Sequence, residues 1–223
     1  MKILIVGGPA HIEECRQKFP NKALIHAQSH SAAESHLADS DVVFDFIIDK
    51  DPESFSVYSK RSVTVFLNTC MMTLAELTYQ HKTLKSNLIG FNGFPTLFCR
   101  DFLELTVLNA EDASHVKRIC DALETRYLLV DDRVGLVTPR VICMIINEAF
   151  FTVEEGTASR EDIDLAMKLG TNYPYGPFEW CERIGLTNIY PLLEALYHDT
   201  KDQRYKTSAL MKKEYMKQLS ARI

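Results

Sequence analysis

The stretch from Gly135 to Leu186 constrains this chain most, because a start or stop signal stands at every joint of a helical pattern. Thr138 can cap a first helix, with Pro139 at the first helical position, where a missing N–H costs nothing. Val141, Ile142, Ile145, Ile146, Ala149, Phe150 and Val153 then recur at helical spacing, and Gly156 closes the helix. Ser159 with Asp162 three residues on predicts a second start, and Gly170 its end. Pro174, Gly176 and Pro177 predict a stiff turn, with Pro177 just inside a third helix. The pattern alone predicts a helical domain.

The wording narrows this further. Within that stretch, EEGTASREDIDLAMKLGTNYPYGPFEW resembles the C-terminal domain of the 3-hydroxyacyl-CoA dehydrogenase family, without an apparent gap from Gly135 to about Leu186. The resemblance implies a Rossmann-like, mainly parallel α/β domain over residues 1–132. An all-α domain of the 6-phosphogluconate-dehydrogenase-like kind would follow over residues 133–223. It implies NAD as cofactor, a 3-hydroxyacyl-CoA or similar small-molecule ligand, and a homodimer packed through the helical half. Phe150, Phe151, Tyr175, Phe178 and Trp180 supply apolar surface for such a contact.

Bulk properties fit a folded, water-exposed chain. Of 223 residues, 46% are hydrophobic and 25% charged, enough to bury a core. A formal net charge of -5 argues against a nucleic-acid partner. Apolar runs are too short to span a bilayer, and MKILIV reads as a strand rather than an export signal. Six cysteines without a C-x-x-C pair predict reduced thiols. Together these predict a cytoplasmic location.

Before Gly135, strand and helix alternate. Lys2–Val6, Ala23–His26, Asp41–Ile48, Val63–Leu67, Leu88–Phe91, Leu103–Leu108 and Tyr127–Val130 read as strands. Helices are predicted over Ile12–Phe19, Thr73–His81 and Ala110–Thr125, with a weak one over His30–Ala38. The alternation independently predicts an α/β fold with a mainly parallel sheet. The family resemblance thins here: the region from Gly8 to Asn68 is short, as though a helical insertion were missing.

The residues that would carry chemistry depart from the family's pattern. By resemblance Glu104 is the glutamate that orients a catalytic histidine, but Asn92, twelve residues earlier, stands in the histidine's place. An amide does not ionise near neutral pH and cannot act as the base. Cys70 stands at the family's serine, within a segment that includes Asn68, and Pro139 stands at its asparagine. Asp45 and Asp49 occupy an acidic pair at a strand end, Asp45 being the expected cofactor contact. Gly7 and Gly8 form the turn after the first strand, where a G-x-G-x-x-G fingerprint would admit a pyrophosphate. Pro9 and Ile12 fall in its second and third glycine places, so NAD binding weaker than about millimolar is expected.

Plainer readings stand beside these. Gly7-Gly8 also reads as an ordinary strand-to-helix turn, Glu104 as a structural acid, and Cys70 as a half-buried thiol. Tyr173, Tyr175, Phe178 and Trp180 read as core or dimer surface before they read as a ligand wall. His26 and His30 lack a third metal ligand. Asn147 and Glu148 read as facing a neighbouring helix or water.

Overall fold

The computed structural model describes residues 1–59, 61–79 and 86–221, which form two compact units, Met1–Leu136 and Val137–Ile223.

In the first unit, β1 (Lys2–Val6) leads into α1 (Pro9–Lys18), β2 (Ala23–Ala27), α2 (His30–Glu34) and β3 (Val42–Asp45). Two 3-10 turns and α3 (Ser56–Ser59) precede β4 (Thr64–Asn68) and α4 (Leu74–Thr78). β5 (Asn87–Phe91), β6 (Phe102–Thr106), α5 (Ala113–Leu123) and β7 (Arg126–Leu129) complete the unit. The seven strands order as β2-β1-β3-β4-β5-β6-β7, all pairs parallel except β5 with β6. The last two residues of the helix expected over Thr73–His81 lie outside the described residues. The strand expected over Asp41–Ile48 ends at Asp45, because residues 48–50 turn into a 3-10 coil.

Strand alternation builds a layer on each face of this sheet. Ile3, Ile5, Phe44, Phe66, Phe91 and Phe98 fill one face; Leu4, Val6, Val43, Val65, Leu67 and Tyr58 fill the other. Phe44 and Phe66 stack at 4.4 Å across the β3–β4 pair. β2 is the outermost described strand on its side, and the order reverses between β1 and β3, the topological switch point of a doubly wound sheet.

The second unit is helical: α6 (Thr138–Glu154), α7 (Arg160–Thr171), α8 (Pro177–Ile184), α9 (Leu186–Thr200) and α10 (Ala209–Ser220). Thr138 is the first helical residue of α6 rather than its cap, with Val137 in the cap position. Gly170 lies inside α7, which instead ends at Asn172 in the left-handed region, φ 55°. Asn tolerates that conformation better than most side chains do. The Asp164 carboxylate receives the N–H groups of Phe178 at 2.8 Å and Glu179 at 3.1 Å, capping α8 from α7. A Cβ on Gly176 would lie 2.3 Å from Asp164, so glycine is needed for this clasp. Asn147 is buried and grips the link before α10, donating to the Lys206 carbonyl and accepting from Ser208 N–H. Glu148 is exposed.

Phe150, Phe178 and Trp180 belong to the core of this unit. These three are closed over by the helices and offer a partner no surface, whereas Phe151 and Tyr175 are half-buried. The six cysteines are free, and Cys70 is fully rather than half buried. No helix among the described residues is long and apolar enough to cross a membrane.

Candidate functional site

Polar side chains gather at the carboxyl ends of β3, β4 and β5, with β6 beside them. Phe91 on β5 pairs antiparallel with Leu105 on β6, so Asn92 falls opposite Glu104 and donates its N–H to that residue's carbonyl at 3.1 Å. The pairing brings residues twelve apart in sequence into contact, and Asn92 Nδ2 donates to Glu104 Oε2 at 3.3 Å. On its other side, Asn92 Oδ1 accepts from Cys70 Sγ at 3.4 Å and from Phe94 N–H at 3.1 Å. The Asn92 amide is thus held on both ends, and neither end can take a proton near neutral pH.

Asn68 extends the row. Its Oδ1 accepts from Gly93 N–H at 3.1 Å, and its Nδ2 donates to Asp49 Oδ2 at 2.8 Å. A Cβ on Gly93 would come 2.9 Å from Asn68 Cγ, so glycine permits this approach. Asn68, Cys70, Asn92 and Glu104 are all buried. The first unit thus brings together all four residues expected to be catalytic. Pro139, at the place of the family's asparagine, is buried near the start of α6 and has no N–H.

Asp49 is the group sequence reasoning undervalued. It is 9% exposed, and its Oδ1 has no hydrogen-bond partner among the described residues. Burial pushes its carboxyl up to about 7, with the charge of Asp45 adding and that of Lys50 opposing. The sequence marked Asp49 only as half of an acidic pair.

Asp45, expected to contact a cofactor, is committed elsewhere. Its Oδ2 lies 2.8 Å from His30 Nε2 and accepts from Tyr58 Oη at 2.9 Å, while Oδ1 accepts from Ile47 N–H at 2.9 Å. The carboxylate is fully buried and staples α2 and α3 to the end of β3. Burial acts to lower the pKa of His30, but the hydrogen bond and charge of Asp45, joined by Asp51, outweigh it and raise it. His26 and His30 go separate ways, His26 donating through Nε2 to the Gly7 carbonyl at 2.7 Å. No group of three metal-ligating side chains occurs among the described residues.

At the Gly7-Gly8 turn, the N–H of Gly8 donates to His11 Nδ1 at 3.0 Å. The imidazole stacks on Phe46, centroids 4.7 Å apart and planes 9° from parallel. A dinucleotide's pyrophosphate needs free amides at this helix start. Here the Gly8 amide is taken, Pro9 has none, and Ile12 is buried where close helix–strand packing would require a glycine. The residues present do not fit NAD. No sequence reading singled out His11: its first-turn contact with Gly8 is local, but its stacking partner Phe46, just past β3, is distant in sequence.

A parallel α/β sheet of this order with polar residues at its strand ends, and a separate all-helical unit, define a two-unit dehydrogenase-type fold. Residues 135–220 match the family model described as 3-hydroxyacyl-CoA dehydrogenase, C-terminal domain. Over these residues the helical unit is a C-terminal domain of the 3-hydroxyacyl-CoA dehydrogenase kind. It is 44% identical over 85 residues to a 3-hydroxyadipyl-CoA dehydrogenase of Escherichia coli (strain K12), covering 38% of this chain and 18% of that protein. It is 32% identical over 122 residues to a probable 3-hydroxybutyryl-CoA dehydrogenase of Bacillus subtilis (strain 168), covering 55% and 42%. The chain thus spans less than half the length of these relatives. The crystal structure of (S)-3-hydroxybutyryl-CoA dehydrogenase from Ralstonia eutropha shares the fold, with a TM-score of 0.69 at 21% identity over 95% of this chain and 92% of that one.

Proposed function

We propose that this chain is a family member in which hydride transfer from 3-hydroxyacyl-CoA to NAD is lost. It serves instead as a binder of an acyl-CoA or similar metabolite, or as a partner of an active dehydrogenase. The observation that carries this reading is Asn92, hydrogen-bonded to Glu104 where the family places its base. Glu104 keeps its orienting geometry, but the group it orients is an amide and cannot take the hydroxyl proton. The test is the NADH absorbance produced from 3-hydroxybutyryl-CoA at saturating NAD. Absence of a general base typically costs ~10²–10⁴ in rate, and no appreciable turnover is expected. Turnover in the range of ordinary dehydrogenases would restore the oxidoreductase reading.

The homodimer belongs to this proposal, with its apolar surface reassigned. Leu165 and Leu169 lie one turn apart on α7 and are 54% and 78% exposed. They replace the buried aromatics as the residues for a self-complementary contact. Sedimentation at micromolar concentration is expected to give a dimer, and Leu169→Glu to give a monomer. A native monomer would remove the dimer from the proposal.

A further inference from the structure

The misfit between the glycine turn and a dinucleotide has an identifiable cause in the chain itself. We propose that His11 is a built-in occupant of the position a pyrophosphate oxygen would take, closing the turn to adenine dinucleotides and nucleoside diphosphates. This goes beyond the loss of the base at Asn92 and does not depend on it.

Three contacts carry the inference. His11 Nδ1 accepts the Gly8 N–H at 3.0 Å, the hydrogen bond that a phosphate oxygen would otherwise receive at a helix start. A Cβ on Gly7 would lie 2.4 Å from that same Nδ1. The first glycine of the turn, which in a dinucleotide fold serves the tight bend, here makes room for the chain's own imidazole. Phe46, at the end of β3, holds the ring in place from below at 4.7 Å. β1 and β3 are neighbours in the sheet although β2 lies between them in sequence. The ring therefore fills the crevice at the topological switch point, where open α/β sheets take their ligands.

The chemistry of the ring agrees with this role. Accepting from an N–H requires an unprotonated Nδ1. Burial lowers the His11 pKa to about 4, with Lys50 and His26 adding and Asp45 opposing. The imidazole is therefore neutral at pH 7 and stays an acceptor. Pro9 contributes differently. It is exposed at the helix start, removing one donor without filling the crevice. His11 is the contact whose removal reopens space.

The test is calorimetric titration of the full chain with NAD and with ADP at pH 7.5, comparing the native protein with His11→Ala and His11→Ser. Serine keeps a polar side chain in the first turn but is too short to reach back to the Gly8 amide, so both variants free the amide and the pair controls for loss of polarity. The native protein is expected to bind both probes more weakly than about 1 mM, and each folded variant at least about tenfold more tightly. Micromolar binding by the native protein would overturn the proposal without any variant. So would folded variants, verified by circular dichroism, that gain no affinity. Since both variants keep Asn92, they are expected to bind NAD without oxidising 3-hydroxybutyryl-CoA. Tight NAD binding by an inactive native protein would remove the His11 proposal and leave the proposed function standing.

Discussion

Asp49→Asn is expected to stabilise the protein at pH 8 and to have almost no effect at pH 3. Burial raises the Asp49 carboxyl from its ordinary 3.8 to about 7. Below 3.8 the group is protonated in folded and unfolded chains alike, so it costs nothing. Between 3.8 and about 7 the unfolded chain releases the proton more readily, and stability falls as pH rises. Above about 7 the carboxyl is ionised in both states, and the penalty is fully developed. A shift of this size corresponds to an upper bound on the order of 4 kcal/mol. Asparagine avoids the penalty, and its side-chain oxygen can still accept from Asn68 Nδ2. Urea unfolding of native and variant proteins from pH 3 to 8 measures the difference. A gap that stays constant with pH would show that the unpartnered oxygen is solvated and that burial does not set its titration.

Asn92→His is expected to leave turnover of 3-hydroxybutyryl-CoA about a hundredfold or more below that of a working dehydrogenase. An imidazole at this position regains a titrating nitrogen beside Glu104. It also removes the acceptor on which Cys70 Sγ and Phe94 N–H converge. A buried N–H left without an acceptor costs roughly 1–3 kcal/mol, paid by the loop that follows Asn92. Asp45 and the Gly8 amide remain occupied, so the nicotinamide side of the reaction gains nothing from the change. NADH absorbance at saturating NAD is the measurement. A variant working at an ordinary dehydrogenase rate would show that the rest of the site had kept its competence.

The parts of this molecule written in local pattern were legible. Lys2–Val6 could be read to the residue because an apolar run meets two glycines. The meeting of Asn92 and Glu104 was expected from the family resemblance, and the β5–β6 pairing delivers it. What depends on distant neighbours was not legible. Asn172, rather than Gly170, ends α7, a choice made by backbone conformation and not by the usual residue preference. Phe150, Phe178 and Trp180 read equally well as surface or core until the helices closed over them. Asp45 carried a ligand-binding expectation, but His30 and Tyr58, each from a different segment, claim its carboxylate. The same limit hid His11, whose partner Phe46 no spacing rule connects to it.

The position of β2 at the end of the strand order bears on how such a sheet tolerates change at its margin. Deleting a central strand severs two ladders and splits a sheet, whereas deleting an outer one severs a single ladder. β1 keeps both neighbours, β2 through Lys2↔Ala23 to Val6↔Ala27 and β3 through Ile3↔Val42 to Val6↔Asp45. Every register inward of β2 is therefore independent of what lies at the edge. A doubly wound sheet is in this sense modular from its margin. Residues at that margin can be trimmed while the strand ends that carry Asn68, Asn92 and Glu104 remain in register. Change at the margin therefore leaves the polar strand ends in place.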